Sequence, residues 1–211
     1  MRGLRVLVLG RPRLEADGQA LAADLPRKHQ ALLYHLAGTG SPVSRNELAT
    51  LLWDDLDEAA ARGNLRTALM RLRRALPGVL VTEGSQVGFD PALRLQVDWA
   101  DLARAAAGEG DTAHRVAAAQ AWRGPLLEGF DLGGDTFERW LSAARVKAQQ
   151  QAVTLRRALA EAAEREGQAE AAEAHWRALL EIDEADEPAH MALMALLARA
   201  GRRTAAIAQY E

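Results

Sequence analysis

The stretch AARGNLRTALMRLRRAL, residues 60–76, constrains the fold more tightly than any other part of the chain. Leu65, Leu69, Leu72 and Leu76 recur at intervals of four, three and four, the spacing that lines one side of an α-helix. At about 100° per residue those leucines form a narrow stripe that must face a core. Thr67, Met70 and Arg74 fall opposite, with Arg66 and Arg71 on the flanks. Pro77-Gly78 ends the helix, since proline brings no amide donor and glycine accepts a left-handed turn. The stretch holds five arginines, and residues 59–82 contain no acid at all. Immediately ahead, DDLDE (54–58) puts four acids in five positions. They precede a helix start, where negative charge complements the helix dipole, and are expected to point away from whatever the arginines touch.

The flanking segments give this helix its place. Residues 1–24 read as strands, with LRVLVLG short and apolar and Asp17-Gly18 suited to a tight hairpin turn. Pro26 opens a helical pattern in which Ala31, Leu32, Leu33 and Leu36 share one side, closed by Gly38 to Gly40. Ser44 reads as the N-cap of a second helix, with Glu47 three residues on completing a capping box and Leu48, Leu51, Leu52 and Trp53 on its buried side. After the arginine helix, VLVTEGSQVGF (79–89) reads as two short strands about a Glu-Gly-Ser turn. Strands, three helices and a hairpin is the order of a winged helix-turn-helix preceded by a small sheet.

Beyond residue 93 the chain becomes alanine-rich helix broken by glycines. Gly167 and Gly201 stand 34 residues apart, and at the same offset Leu159 meets Leu193, Ala171 meets Ala205, Ala172 meets Ala206 and Trp176 meets Tyr210. Pro188 lies between the units. A period of 34 with glycine at the turn is the tetratricopeptide (TPR) pattern, and residues 110–122 look like a degenerate relative of the second helix of such a unit. The expected fold class is therefore mixed: an α+β winged helix-turn-helix over 1–93, then an all-α TPR-like helical domain over 94–211.

Composition narrows the function. The chain has 211 residues and no cysteine, which excludes disulfides and thiolate metal sites and fits a reducing, cytoplasmic setting. No signal peptide or membrane-length apolar run is visible. Residues 1–90 carry 12 Lys+Arg against 10 Asp+Glu, so the −3 net charge of the whole arises in the remainder.

An arginine-rich helix face taken alone is the ordinary solvated side of a helix. Three features argue for more. Other surface helices of the chain mix signs, as in LRRALAEAAEREGQAEAAE. The arginine helix is the third of a trihelical unit, where a recognition helix enters the major groove. A hairpin able to act as a wing follows it. Arginine's planar fork of donors matches guanine edges and phosphate oxygens, while phosphate neutralisation supplies sequence-independent affinity. Thr67, Met70, Arg71 and Arg74 are expected to face the groove. Arg62, Asn64, Arg66 and Arg73 are placed nearer the phosphates. Ser44 and Arg45, at the start of the preceding helix, could hold a phosphate through free amides and charge, and Arg27, Lys28 and His29 form a second possible backbone clamp.

These residues resemble a known family. LRVLVLGRPRLEADGQAL, LPRKHQALLYHLAGTGSPVSRNELATLLW and AARGNLRTALMRLRRAL are similar to the N-terminal OmpR-like winged helix of SARP-type transcriptional regulators. QVDWADLARAA, AWRGPLLEGFDL and the paired helical repeats resemble the bacterial transcriptional activator domain that follows it there, so the likeness runs over essentially the whole chain. It implies a cytoplasmic transcription factor that binds direct-repeat operators in double-stranded DNA, often as a side-by-side homodimer, and engages RNA polymerase, with helix 59–76 in the major groove and hairpin 79–89 as the wing. Two departures stand out. The wing ends in VGFDPALRL rather than a GY-x-L pattern, and the sequence stops at AAIAQYE, where family members continue, as a truncated or partial regulator would.

Other chemistry finds no support. His29, His35, His114, His175 and His190 lack metal spacing, no GxxxxGK[ST] loop occurs, and GFDLGGD (129–135) has the wrong spacing for a calcium loop and reads as a connection. Trp53, Trp122, Trp140 and Trp176 are expected in cores. No catalytic constellation, metal or cofactor is expected, and the protein reads as a non-enzyme. The competing reading is a TPR-type protein-interaction scaffold whose winged domain no longer binds DNA.

Overall fold

The computed structural model describes residues 3–21 and 25–209. The ends of the expected 1–24 strand region and Tyr210 of the expected repeat lie outside that range. Elements run β1 (Gly3–Leu7), β2 (Arg13–Ala16), β3 (Gln19–Ala20), α1 (Arg27–Thr39), β4 (Val43–Ser44), α2 (Arg45–Leu52), α3 (Glu58–Ala75), β5 (Leu80–Glu83), β6 (Gln86–Phe89), β7 (Arg94–Val97), α4 (Asp98–Ala106), α5 (Thr112–Gln120), α6 (Asp135–Arg165), α7 (Ala169–Leu180), α8 (Glu187–Arg199) and α9 (Arg203–Ala208). The chain divides into two compact units, Met1–Asp101 with Arg123–Val146, and Leu102–Trp122 with Lys147–Glu211.

In the first unit, β3-β2-β1-β7 form one sheet and β4-β6-β5 another. β1 and β2 are antiparallel, with Val6 opposite Leu14, and Asp17 and Gly18 both take positive φ in the turn that follows β2, as an Asp-Gly hairpin requires. β7 pairs with β1 in parallel, Leu4 against Leu95, a strand not anticipated from the sequence. Asp98, next in the chain, is buried; its carboxylate accepts from the amides of Val8 at 2.8 Å and Leu9 at 3.1 Å and from Arg123 at 3.0 Å. Burial, the largest influence, raises its pKa against the pull of these donors.

The three helices follow their sequence signals. α1 ends at a left-handed Gly40. Ser44 caps α2, its hydroxyl accepting from the Glu47 amide at 3.1 Å. The leucine stripe of α3 is buried, Leu65, Leu69, Leu72 and Leu76 joining Ala61 and Ala68. Residues 123–146 complete this unit: Phe130 packs edge-on against Tyr34, and Trp140 against His35, on α1. Phe137 is fully buried beside both.

The second unit is all helix. Its core joins Ala160, Ala163, Ala172, Trp176, Leu179, Ala189, Leu193, Leu196, Leu197 and Ala206. The 34-residue period is structural: the Gln168 amide bonds to Ala163 O and the Arg202 amide to Leu197 O, while the amides of Gly167 and Gly201 reach Glu164 O and Ala198 O. Both glycines sit near φ +73° and +74°, left-handed turns that let a helix fold back on its predecessor. Small alanines at 172 and 206 allow close helix contact. Arg157 pairs with Asp186, the N-cap of α8, and Arg199 with Glu164.

Candidate nucleic-acid interface

The candidate interface is built on α3. Asp57 caps its first turn, accepting from the Ala60 amide at 2.9 Å, and Glu58 adds negative charge there. The rest of the acidic run is engaged nearby. Asp54 accepts from the Thr136 amide at 2.8 Å, and that bond, reinforced by the Thr136 hydroxyl and the charge of Lys28, lowers its pKa. Asp55 lies 3.8 Å from Lys28.

With the leucine stripe buried, the other side of α3 lies open. Arg62, Asn64, Arg66, Thr67, Met70, Arg71, Arg73 and Arg74 are all exposed. Their partners separate them. Arg62 pairs with Glu58 and donates to Asn46 on α2 at 3.2 Å. Arg73 donates to the Thr82 hydroxyl on β5, tying the end of α3 to the hairpin. The Thr67 hydroxyl donates back to Gly63 O at 3.2 Å. Arg66, Arg71 and Arg74 have no carboxylate partner among the described residues. In the second unit Arg177 and Arg202 share Glu173 and Arg199 holds Glu164, while exposed Arg165 and Arg203, like Arg66, Arg71 and Arg74, carry no ion pair among the described residues.

Ser44 and Arg45 are half-buried at the α2 start. The Ser44 hydroxyl is occupied by its capping bond, and the Arg45 amide donates to Ser85 O in the β5–β6 turn at 2.9 Å, leaving its buried side-chain Nε without a partner. Asn46, not singled out from the sequence, holds Arg62 from the same turn; only its position beside Arg45 could have pointed to it. Thr82 gave no signal, since its link to Arg73 is a tertiary contact.

Of the second clamp, His29 is withdrawn into the core. His29 is 7% exposed with both ring nitrogens buried and unpartnered; burial, then the charge of Arg71, lowers its pKa. Arg27 lies over the Phe130 ring, 5.1 Å from its centroid, and Lys28 over Trp53. Arg27 stays exposed and Lys28 half-buried, so only His29 of the three is committed to packing. Of the tryptophans, Trp53 and Trp176 are buried, whereas Trp122 and Trp140 are only half-buried. Among the described residues no group of His, Asp and Glu is arranged to hold a metal, and no helix is long and apolar enough to cross a membrane.

Comparison with known proteins adds a family. The model described as "Bacterial transcriptional activator domain" matches residues 93–211. Regulatory protein AfsR of Streptomyces coelicolor is 34% identical over 138 residues, covering 60% of this chain and 14% of AfsR. Transcriptional regulatory protein EmbR of Mycobacterium tuberculosis is 27% identical over 137 residues, 57% of this chain and 35% of EmbR. These alignments thus span well under half of either relative's length. The structure of Mycobacterium tuberculosis EmbR in complex with a low affinity phosphopeptide superposes with a TM-score of 0.71 at 24% identity, over 100% of this chain and 58% of that one, a likeness of fold.

Proposed function

This chain belongs to the bacterial transcriptional activator domain family, and we propose that it is a sequence-specific DNA-binding transcriptional regulator that lays α3 in the major groove. One observation carries this reading: α3 turns every leucine of its stripe inward and leaves Arg66, Arg71 and Arg74 exposed without carboxylates. A helix of 18 residues is about 27 Å long, and the major groove admits one. Arg71 and Arg74, with Thr67 and Met70, face base edges. Arg66 lies along the backbone, joined by Asn64, by Arg62 once it leaves Glu58, and by the Ser44–Arg45 turn. Arg73 serves chiefly to hold the hairpin at the end of α3.

Residues 1–93 form the DNA-reading part of this SARP-type architecture, and 94–211, read as TPR-like repeats, provide dimerisation or a contact with RNA polymerase. The operator is a direct repeat in double-stranded DNA bound by a homodimer in the cytoplasm. Names of the relatives, both regulatory proteins, support the direction of this reading.

Binding to labelled promoter fragments at two salt concentrations tests it, for the wild type and for Arg71→Ala with Arg74→Ala. Affinity is expected to fall steeply with salt and to drop in the double variant at unchanged circular dichroism. Binding indifferent to both changes would favour the interaction scaffold.

A further inference from the structure

Like Leu56, Val146, Met191 and Ile207 elsewhere, Met70 is a large apolar side chain left exposed, here on the open face of α3. It is 63% exposed, although methionine gains from leaving water. At helical spacing its neighbours are Arg66, Thr67, Arg73 and Arg74, with Arg71 next in sequence, and all are exposed. The leucines and Ala61 and Ala68 are buried on the other face, and the exposed alanines of α3, Ala59, Ala60 and Ala75, lie near its two ends. Met70 is therefore a lone apolar spot inside a ring of guanidinium groups. A protein partner would bring a wider apolar patch to such a surface, and the surrounding charge calls for a polyanion. A partner matched to Met70 and its surroundings is polyanionic as a whole and apolar at one point.

Double-stranded DNA offers that combination at the thymine C5-methyl, the apolar group in the pattern of major-groove donors and acceptors. Methionine's unbranched, polarisable thioether chain adapts to such a contact. We propose that Met70 is a specificity-determining residue that reads a thymine methyl group in the major groove, so that the recognised half-site contains a thymine where Met70 lands. This inference rests on the DNA-binding reading above and names the base chemistry that α3 selects. Arg71 and Arg74 hold base edges or phosphates on either side; Met70 contributes no charge and no hydrogen bond, so its contribution is independent of salt.

The test uses the full chain. A duplex is selected from a random-sequence library by binding to the protein, and each thymine in it is then replaced singly by deoxyuridine, which removes only the methyl group. The wild type is expected to lose about fourfold in affinity at one thymine per half-site, the scale of one buried methyl-sized group. Met70→Ala is expected to bind the thymine and uracil duplexes equally at that position, with its salt dependence unchanged, and Met70→Leu to keep part of the discrimination. Discrimination that persists in Met70→Ala would move the methyl contact to another residue, Thr67 first, and overturn the proposal. A salt-dependent complex indifferent to every thymine-to-uracil change would overturn it while leaving the DNA reading intact. Recovery of no duplex would overturn both.

Discussion

Arg66 and Arg71 lie five positions apart on α3, both exposed and neither paired with a carboxylate, yet their substitutions should fail differently. Arg66→Ala is expected to weaken binding to every duplex alike and to reduce the slope of log affinity against log salt by about 0.9, the loss of one neutralised phosphate. Arg71→Ala is expected to cost about 1–3 kcal/mol on the selected site and to relax preference at one base pair. Salt titrations on selected and scrambled duplexes separate the two. A different residue governs response to acid. His35 is 5% exposed, packs edge-on to Trp140, and burial lowers its pKa to about 4. The unfolded chain takes up a proton near 6.5 while the native imidazole stays neutral. The stability this neutral ring confers is present above pH 6.5 and is lost as pH falls towards 4. Urea unfolding at pH 7 and pH 5 is expected to show a loss of about 2 kcal/mol from this group, and His35→Phe to remove that part of the pH dependence.

At the scale of elements, what the sequence made legible was local. The α3 stripe, its Pro-Gly stop, the Ser44 cap and the Gly84-Ser85 hairpin turn are each set by residues within a few positions of one another, and each formed where expected, α3 within one residue at either end. The paired turns at Gly167 and Gly201 were legible for the same reason. β4 and β7 were not. Two residues in β4 and four in β7 are too few to show alternation, and both exist only because β6 and β1, distant in sequence, present open edges. Burial of His29 was legible but overlooked: His29, Leu32, Leu33 and Leu36 fall at i, i+3, i+4 and i+7, one face of α1. The acidic run occupies the middle ground: its position before α3 announced charge suited to the helix dipole, while the Asp57 cap and the Asp54 bond to Thr136 did not show. Asp57→Ala is expected to destabilise the protein by about 1 kcal/mol through loss of the cap, and Asp57→Ser to recover most of that in thermal unfolding. Because Asp57 faces the helix rather than the duplex, Asp57→Ser is expected to leave affinity for a selected duplex little changed, although a negative charge has gone.

At the scale of the whole molecule, the span matched by the family model and the compact unit that carries α3 are drawn along different lines. The match begins at residue 93, whereas the first unit also takes in residues up to 101 and then 123–146. Hydrogen bonds explain why. Beyond β1 the backbone of residues 8–10 finds its partners in Leu127, Pro125 and Glu128, with the Leu127 amide donating to Val8 O at 2.8 Å, and its amides at Val8 and Leu9 in Asp98. Phe130, Phe137 and Trp140 cover the side of α1 that bears Tyr34 and His35. A fragment of residues 1–93 keeps α3 but loses the β7 pairing to β1, leaves buried amides without acceptors and exposes the α1 aromatics to water. Each unsatisfied buried amide costs about 1–3 kcal/mol, against a stability of about 5–15 kcal/mol for a whole domain. Such a fragment is therefore expected to show no cooperative thermal transition. In the full chain Phe137→Ala, 62 positions from α3, is expected to cost about 3–5 kcal/mol and to lower hydrogen-exchange protection across α1 and α3. Unchanged protection in those helices, or a cooperative melt of residues 1–93 alone, would show that the part carrying α3 stands without residues 123–146 and would make the segment an accessory to the unit rather than part of its core.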